Sequence, residues 1–263
     1  MIKEAQDFLA ESAALDALLV PLSESEFEAP TQFKDWTVSD VLQHLHVWNC
    51  AAAASASDES KYDAMVAERR AAESLRAFER GWIGDVRGQA LRALWREGAE
   101  ETAAVFGDLD PARRLKWAGP SMSARSSITA RQMETWAHGQ AVFDLLGVER
   151  VDHDRLRNIA HLGVSTFRWT YAVRGRTPPP QTPYVELAAP SGELWTWNGE
   201  SAEERVCGSA TEFCQVVTQT RNIADTGLQV VGPVAREWMS MAQCFAGAAS
   251  DPPAPGARFR KCV

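Results

Sequence analysis

The chain has 263 residues, 45% hydrophobic and 24% charged, a balance that excludes a disordered chain and suits one or two folded domains. A formal net charge of -8 counts against a general nucleic-acid binder, and the short basic run Arg258, Arg260, Lys261 reads as a solvated end. Cys50, Cys207, Cys214, Cys244 and Cys262 are scattered with no CxxC pair, which argues against a disulfide framework or a thiolate zinc site and favours a reducing compartment.

The chain opens MIKEAQDFLAESAALDALL, where acidic residues interrupt the apolar ones as they do not in a secretory signal. No apolar run reaches the ~18 residues of a membrane span. A cytoplasmic location without membrane contact is therefore expected. Residues 3–20 carry Phe8, Leu9, Ala13, Leu15, Leu18 and Leu19 close to helical spacing. A loop with Pro30 follows, and Thr37-Val38-Ser39-Asp40 has the form of a capping box opening a helix over 38–57. Residues 61–79, rich in Ala, Glu and Arg, read as one helix, and 84–106 as another. Residues 107–127 read as irregular. Residues 128–146 are strongly helical and end at Gly147, and a last helix is expected over 152–174.

The texture then changes. The proline-rich segment 174–183 cannot continue a helix. Tyr184–Ala188 and Leu194–Asn198 read as strands around a Pro190-Ser191-Gly192 turn, with Glu204–Cys207 as a candidate third strand. Residues 209–219 and 232–246 read as helices. The expected fold class is thus α plus α+β: an all-α domain over 1–175 and a small α/β domain over 184–263.

The five histidines are His44, His46, His138, His153 and His161. On its helix His44 shares a face with Val41, Leu45 and Trp48, toward the interior, while His46 lies about 200° round and is expected to face outward or sideways. Glu134 and His138 are four residues apart and stack on one face with Ala141 and Leu145. Two ligands one turn apart plus a third from another helix could hold a divalent metal with an open position. The spacing alone fits equally a surface Glu–His pair and a satisfied core histidine. His153 and His161 default to surface or packing roles, and Cys50 to a small buried hydrophobe.

Two segments carry a family resemblance. Trp36-Thr-Val-Ser-Asp-Val-Leu-Gln-His44-Leu45 resembles one signature of DinB-like four-helix bundles, and Arg131-Gln-Met-Glu134-Thr-Trp-Ala-His138-Gly139 resembles the second. The branch they most resemble is the N-terminal domain of mycothiol-dependent maleylpyruvate isomerases. The resemblance covers residues 1–175 and implies a divalent metal, zinc by assignment, held by His44, Glu134 and His138. It also implies a low-molecular-weight thiol such as mycothiol, held as thiolate to attack an electrophilic small molecule in aromatic or natural-product metabolism. S-transfer or isomerisation would be the reaction, with neither nucleic acid nor membrane as partner. The following α/β domain is similar to sterol-carrier folds.

Arg131 lies about 60° round the helix from Glu134 and is the candidate catalytic residue, placed to steady an anionic substrate group. A solvated or ion-paired arginine is the alternative. Arg125 and Ser121 are candidates for the mouth of the site, and Trp48 for its wall or for the core. One position departs from the family: relatives often carry H-G-x-D, and here Ala141 stands where Asp would. The missing carboxylate removes a contact or base beside the metal. Two other classes use the same residues, a metal-dependent hydrolase with activated water and a non-catalytic metal or ligand carrier.

Overall fold

The computed structural model describes residues 2–117 and 119–261; Cys262 lies outside them. The four described cysteines are free thiols. The chain forms two compact units, Met1–Leu145 and Leu146–Val263. Among the described residues no helix is long and apolar enough to cross a membrane.

The first unit is helical: α1 (Lys3–Leu19), α2 (Val38–Ser57), α3 (Glu59–Ala71), α4 (Leu75–Ile83), α5 (Gly88–Gly107) and α6 (Ala124–Leu146). A short antiparallel pair, β1 (Arg114–Leu115) and β2 (Met122–Ser123), lies between α5 and α6, inside the segment expected to be irregular. The capping box opens α2: the Asp40 N–H donates to Thr37 Oγ1 at 3.0 Å and the Thr37 N–H to Asp40 Oδ2 at 3.1 Å. Phe8 of α1, Ala52 and Ala56 of α2, Ala99, Ala103 and Phe106 of α5 and Ile128 of α6 close one dry core. Small residues on α2 and α5 let those helices come close.

Two expectations change here. Residues 61–79 are two helices, because Ala72 turns extended and the Ser74 hydroxyl caps α4 by accepting from the Ala77 N–H at 3.0 Å. The break redirects α4 across α2. His46 is buried rather than outward, because α2 is covered by α5 on that side as well. Gly98 of α5 sits so near it that a Cβ there would lie 2.8 Å from His46 Nδ1.

The second unit holds α7 (Leu156–Ser165), α8 (Phe167–Ala172), β3 (Tyr184–Ala188), β4 (Leu194–Trp197), β5 (Arg205–Ser209), α9 (Ala210–Val217), β6 (Gln229–Val231) and α10 (Pro233–Met241). Its sheet has the order β4-β3-β5-β6, with β3 antiparallel to β4, parallel to β5, and β5 antiparallel to β6. Strand β6 has no counterpart in the sequence reading, since three residues are too few to show alternation. The helix expected over 152–174 breaks at Thr166 into α7 and α8. These pack on α9 and α10, so the boundary between units falls at Leu145/Leu146 rather than near residue 175. Gly163 lets α7 reach α9, and Phe167, Phe213 and Trp238 meet edge to face at 5.3 and 5.8 Å between ring centres. His161 is exposed and accepts from the Trp197 indole at 3.2 Å, a surface role.

Candidate metal centre

Helices α2 and α6 meet through polar side chains. His44 on α2 faces Glu134 and His138 on α6, and one turn along Asn49 faces Arg131, so the pairings run in opposite senses and the two helices are antiparallel here. One donor atom each from His44, Glu134 and His138 lies within 4.8 Å of the others. Glu134 Oε2 is 3.3 Å from His44 Nε2 and 3.1 Å from His138 Nε2. The sequence alternatives of a surface Glu–His pair and an isolated core histidine do not describe this arrangement.

A second set of side chains holds the first. Glu79 of α4, fully buried, places Oε1 2.6 Å from His44 Nδ1. The Trp48 indole N–H donates to the same oxygen at 3.1 Å, and Arg76 donates to Glu79 Oε2 at 2.5 Å. Arg76 also pairs with Asp40, donates to Gln43 Oε1 at 3.0 Å and lies over the Trp36 ring at 4.8 Å. Trp36 stacks on His138 with 2° between planes, and Phe33 meets the same imidazole edge-on at 4.9 Å. The signature tryptophan thus fixes one ring face of His138, while the capping-box Asp40 anchors the arginine that anchors Glu79.

Burial sets the electrostatics. Desolvation disfavours charge on His44, but hydrogen bonds to Glu134 and Glu79 outweigh it and raise its pKa above the ordinary imidazole value. His138 goes the other way: burial lowers it, and the neighbouring His44 adds to that against the Glu134 hydrogen bond. Burial pushes the Glu134 carboxyl up, yet hydrogen bonds from the two imidazoles hold it well below the usual carboxylate range. Glu79 is likewise held low despite burial, by His44 and Arg76. Both carboxylates are therefore anions at neutral pH.

Arg131 is not solvated, and among the described residues it forms no ion pair, though the Glu134 charge acts on it. It is buried, and its Nε–H donates to Asn49 Oδ1 at 3.0 Å. Arg125 pairs with Glu4 and Ser121 receives Arg114, so neither touches the three donors. Trp48 bonds Glu79 rather than forming plain core. Ala141 is buried and brings no polar atom to the face of Glu134 and His138, while Gln140 and Asp144 bond each other at 3.0 Å. Cys50 lies 3.6 Å from His46 Nε2, and burial pushes its thiol up to about 11, which leaves it a poor nucleophile. Glu79 and Arg76 are the residues that sequence reasoning missed, since nothing in a 61–79 helix aims at His44.

Two imidazole nitrogens and one carboxylate oxygen form a donor set suited to a divalent cation. The fit holds on this structure's own geometry. His44 Nδ1 is engaged by Glu79, so its Nε2 is the atom turned to the centre, and one Glu134 oxygen already faces both imidazoles.

A family model described as the mycothiol maleylpyruvate isomerase N-terminal domain matches residues 8–143. Two uncharacterized proteins of Mycobacterium tuberculosis, from strains CDC 1551 / Oshkosh and ATCC 25618 / H37Rv, are each 38% identical over 248 residues, covering 92% of this chain and 94% of theirs. Among solved structures, a mycothiol-dependent maleylpyruvate isomerase is similar with a TM-score of 0.51 and 15% identity, over 81% of this chain and 87% of that one. A histidine-to-alanine mutant of a mycothiol-dependent maleylpyruvate isomerase gives 0.50 at the same identity and coverage. At that identity the likeness is one of fold.

Proposed function

This chain belongs to the mycothiol maleylpyruvate isomerase N-terminal domain family, and from that premise we propose that it is a metal-dependent thiol S-transferase or isomerase. Its cosubstrates would be mycothiol or a similar low-molecular-weight thiol and an electrophilic small molecule, in the cytoplasm. The observation that carries the reading is the convergence of His44, Glu134 and His138. These three would hold the metal, which we take to be zinc. When bound there, it would supply a Lewis acid that favours the thiolate over the thiol at neutral pH.

The chain's own residues do the rest. Glu79 keeps His44 turned with Nε2 inward, and Arg76 and Trp48 keep Glu79 in place. Trp36 and Phe33 cover His138 and limit water on that side. Arg131 adds a positive charge near Glu134, in the role of steadying an anionic group of the substrate. Ala141 leaves the site without the carboxylate that relatives often carry, so the substrate or the proton transfer differs from theirs. We read α1, α2, α5 and α6 as the DinB-like four-helix bundle and residues 184–263 as a sterol-carrier-like module.

The test is metal analysis of protein never exposed to chelator, followed by thiol titration. Near-stoichiometric metal, and a mycothiol affinity that needs it and is lost in His138→Ala, are the expected results. Absence of metal would overturn the reading. Metal with no thiol affinity, together with cleavage of an ester or amide library, would point to the hydrolase instead. Metal with neither activity would leave a carrier.

A further inference from the structure

Arg76 touches the outer support of both imidazoles. Its Nη1 donates to Glu79 Oε2 at 2.5 Å, and the other Glu79 oxygen stands 2.6 Å from His44 Nδ1. Its Cζ lies 4.8 Å from the centre of the Trp36 ring, and that ring stacks on His138 at 5.6 Å with 2° between planes.

The two imidazoles are held in different ways. His44 is bonded at both nitrogens, to Glu79 and to Glu134. Among the described residues His138 is bonded through Nε2 to Glu134 alone, and ring contacts with Trp36 and Phe33 supply the support that Glu79 gives His44. Neither support is stiff by itself. Glu79 is a buried anion and needs a counter-charge to stay in place. Trp36 stands outside any helix, at the end of the turn Phe33–Trp36 closed by the Trp36 N–H on the Phe33 carbonyl at 2.9 Å. Both central residues of that turn, Lys34 (φ 53°) and Asp35 (φ 56°), take left-handed backbone that favours Asn and Gly.

Arg76, by contrast, is fixed from α2. It pairs with the Asp40 carboxylate, donates to the Asp40 carbonyl at 3.3 Å and donates to Gln43 Oε1 at 3.0 Å. Asp40 lies one turn before His44 on the same face of α2. A guanidinium can serve all these partners because its N–H groups donate in the plane while its face lies on a ring; an ammonium has no such plane.

We propose that Arg76 is a positioning residue shared by both imidazoles, setting His44 through Glu79 and His138 through Trp36. The proposal deepens the functional reading above and rests on it for metal affinity, but the ring orientations belong to the chain with or without metal.

The test takes the full-length protein first without metal, by NMR of nitrogen-labelled histidine, and then with zinc. In the wild type the His44 Nδ1 proton is expected far downfield, held against Glu79, and the His138 ring protons displaced upfield by the Trp36 ring current. Glu79→Gln moves the His44 proton upfield and keeps the His138 displacement. Trp36→Leu removes that displacement and keeps the His44 proton downfield. Arg76→Lys, which retains a charge between Asp40 and Glu79, changes both. Arg92→Lys, at the ion pair with Asp16, changes neither, and so separates positioning from a general loss of stability. In zinc competition against a chromophoric chelator, Arg76→Lys weakens affinity about tenfold. In the Glu79→Gln/Trp36→Leu background, where both of its paths are gone, it weakens affinity by no more than about twofold. The proposal is overturned by an Arg76→Lys protein that leaves both imidazoles unmoved, or that moves His44 alone, which reduces Arg76 to a partner of Glu79. It is overturned as well by a full tenfold loss in the double-variant background. A wild type that binds no zinc overturns the functional reading instead, and the imidazole signals still decide this one.

Discussion

A carboxylate that accepts from His44 Nδ1 at 2.6 Å decides which imidazole nitrogen faces Glu134 and His138. Glu79→Gln keeps the shape and removes the charge that makes this orientation strong. It is expected to weaken metal affinity about 10–100-fold while leaving helical content unchanged. Competition against a chromophoric chelator measures it, and wild-type affinity in the variant would remove Glu79 from the centre. Cys50 makes a second residue-scale case. With its thiol pushed up to about 11, roughly one molecule in a thousand carries the thiolate at pH 8. Iodoacetamide should therefore leave Cys50 unmodified in the folded protein for hours and label it in denaturant; rapid labelling of the native state, read by peptide mass, contradicts this. At this scale helical spacing put Glu134 and His138 on one face and pointed His44 inward, but it was the family resemblance that joined the three into one set. Glu79 and Arg76 were not legible, because their role depends on where α4 lands. The burial of Arg131 was also hidden, since a helix angle gives a direction but not what lies along it.

Helix placement follows from a few small residues and caps. Gly163 on α7 is a close approach: an added Cβ would lie 2.7 Å from Val217 Cγ2 and 3.0 Å from Phe213 Cε1. Gly163→Ala is expected to destabilise the second unit by about 1–3 kcal/mol through overpacking against α9. Gly81, inside α4, has nothing within 4 Å of an added Cβ. Gly81→Ala is therefore expected to stabilise by about 0.5–1 kcal/mol, through helix propensity alone. Denaturant midpoints of the two variants should move in opposite directions, and a shared direction would show that the α7–α9 contact is slack. Most helices were legible from apolar spacing, and the start of α2 from its capping box. The break at 72–74 was not: Ala72, Glu73 and Ser74 contain neither Gly nor Pro, and the turn is made by the Ser74 cap together with packing of α4 on α2. Strand β6 was hidden for a related reason, because pairing with β5 rather than any pattern of its own makes it a strand.

For the whole molecule, the composition change near residue 175 marked the passage to strands but not the passage between units. The boundary at Leu145/Leu146 is set by where α7 and α8 find partners, and those partners, α9 and α10, lie far ahead in the chain. The three donors come from α2 and α6 and their support from α4, all in the first unit, so the metal proposed for them would appear as stability of that unit. A ligand that binds only the folded state adds RT ln(1 + [L]/Kd), about 4 kcal/mol at a thousandfold excess over Kd. Stripping the metal should remove that contribution locally. In hydrogen exchange of the intact chain, the amides of α2, α4 and α6 should lose protection on chelation. Those of the β3–β5 pair should keep theirs, because none of the donors is attached to that sheet. Equal loss in both units would mean that they unfold as one, and no loss in α2 or α6 would mean that His44, Glu134 and His138 are held by each other rather than by a cation.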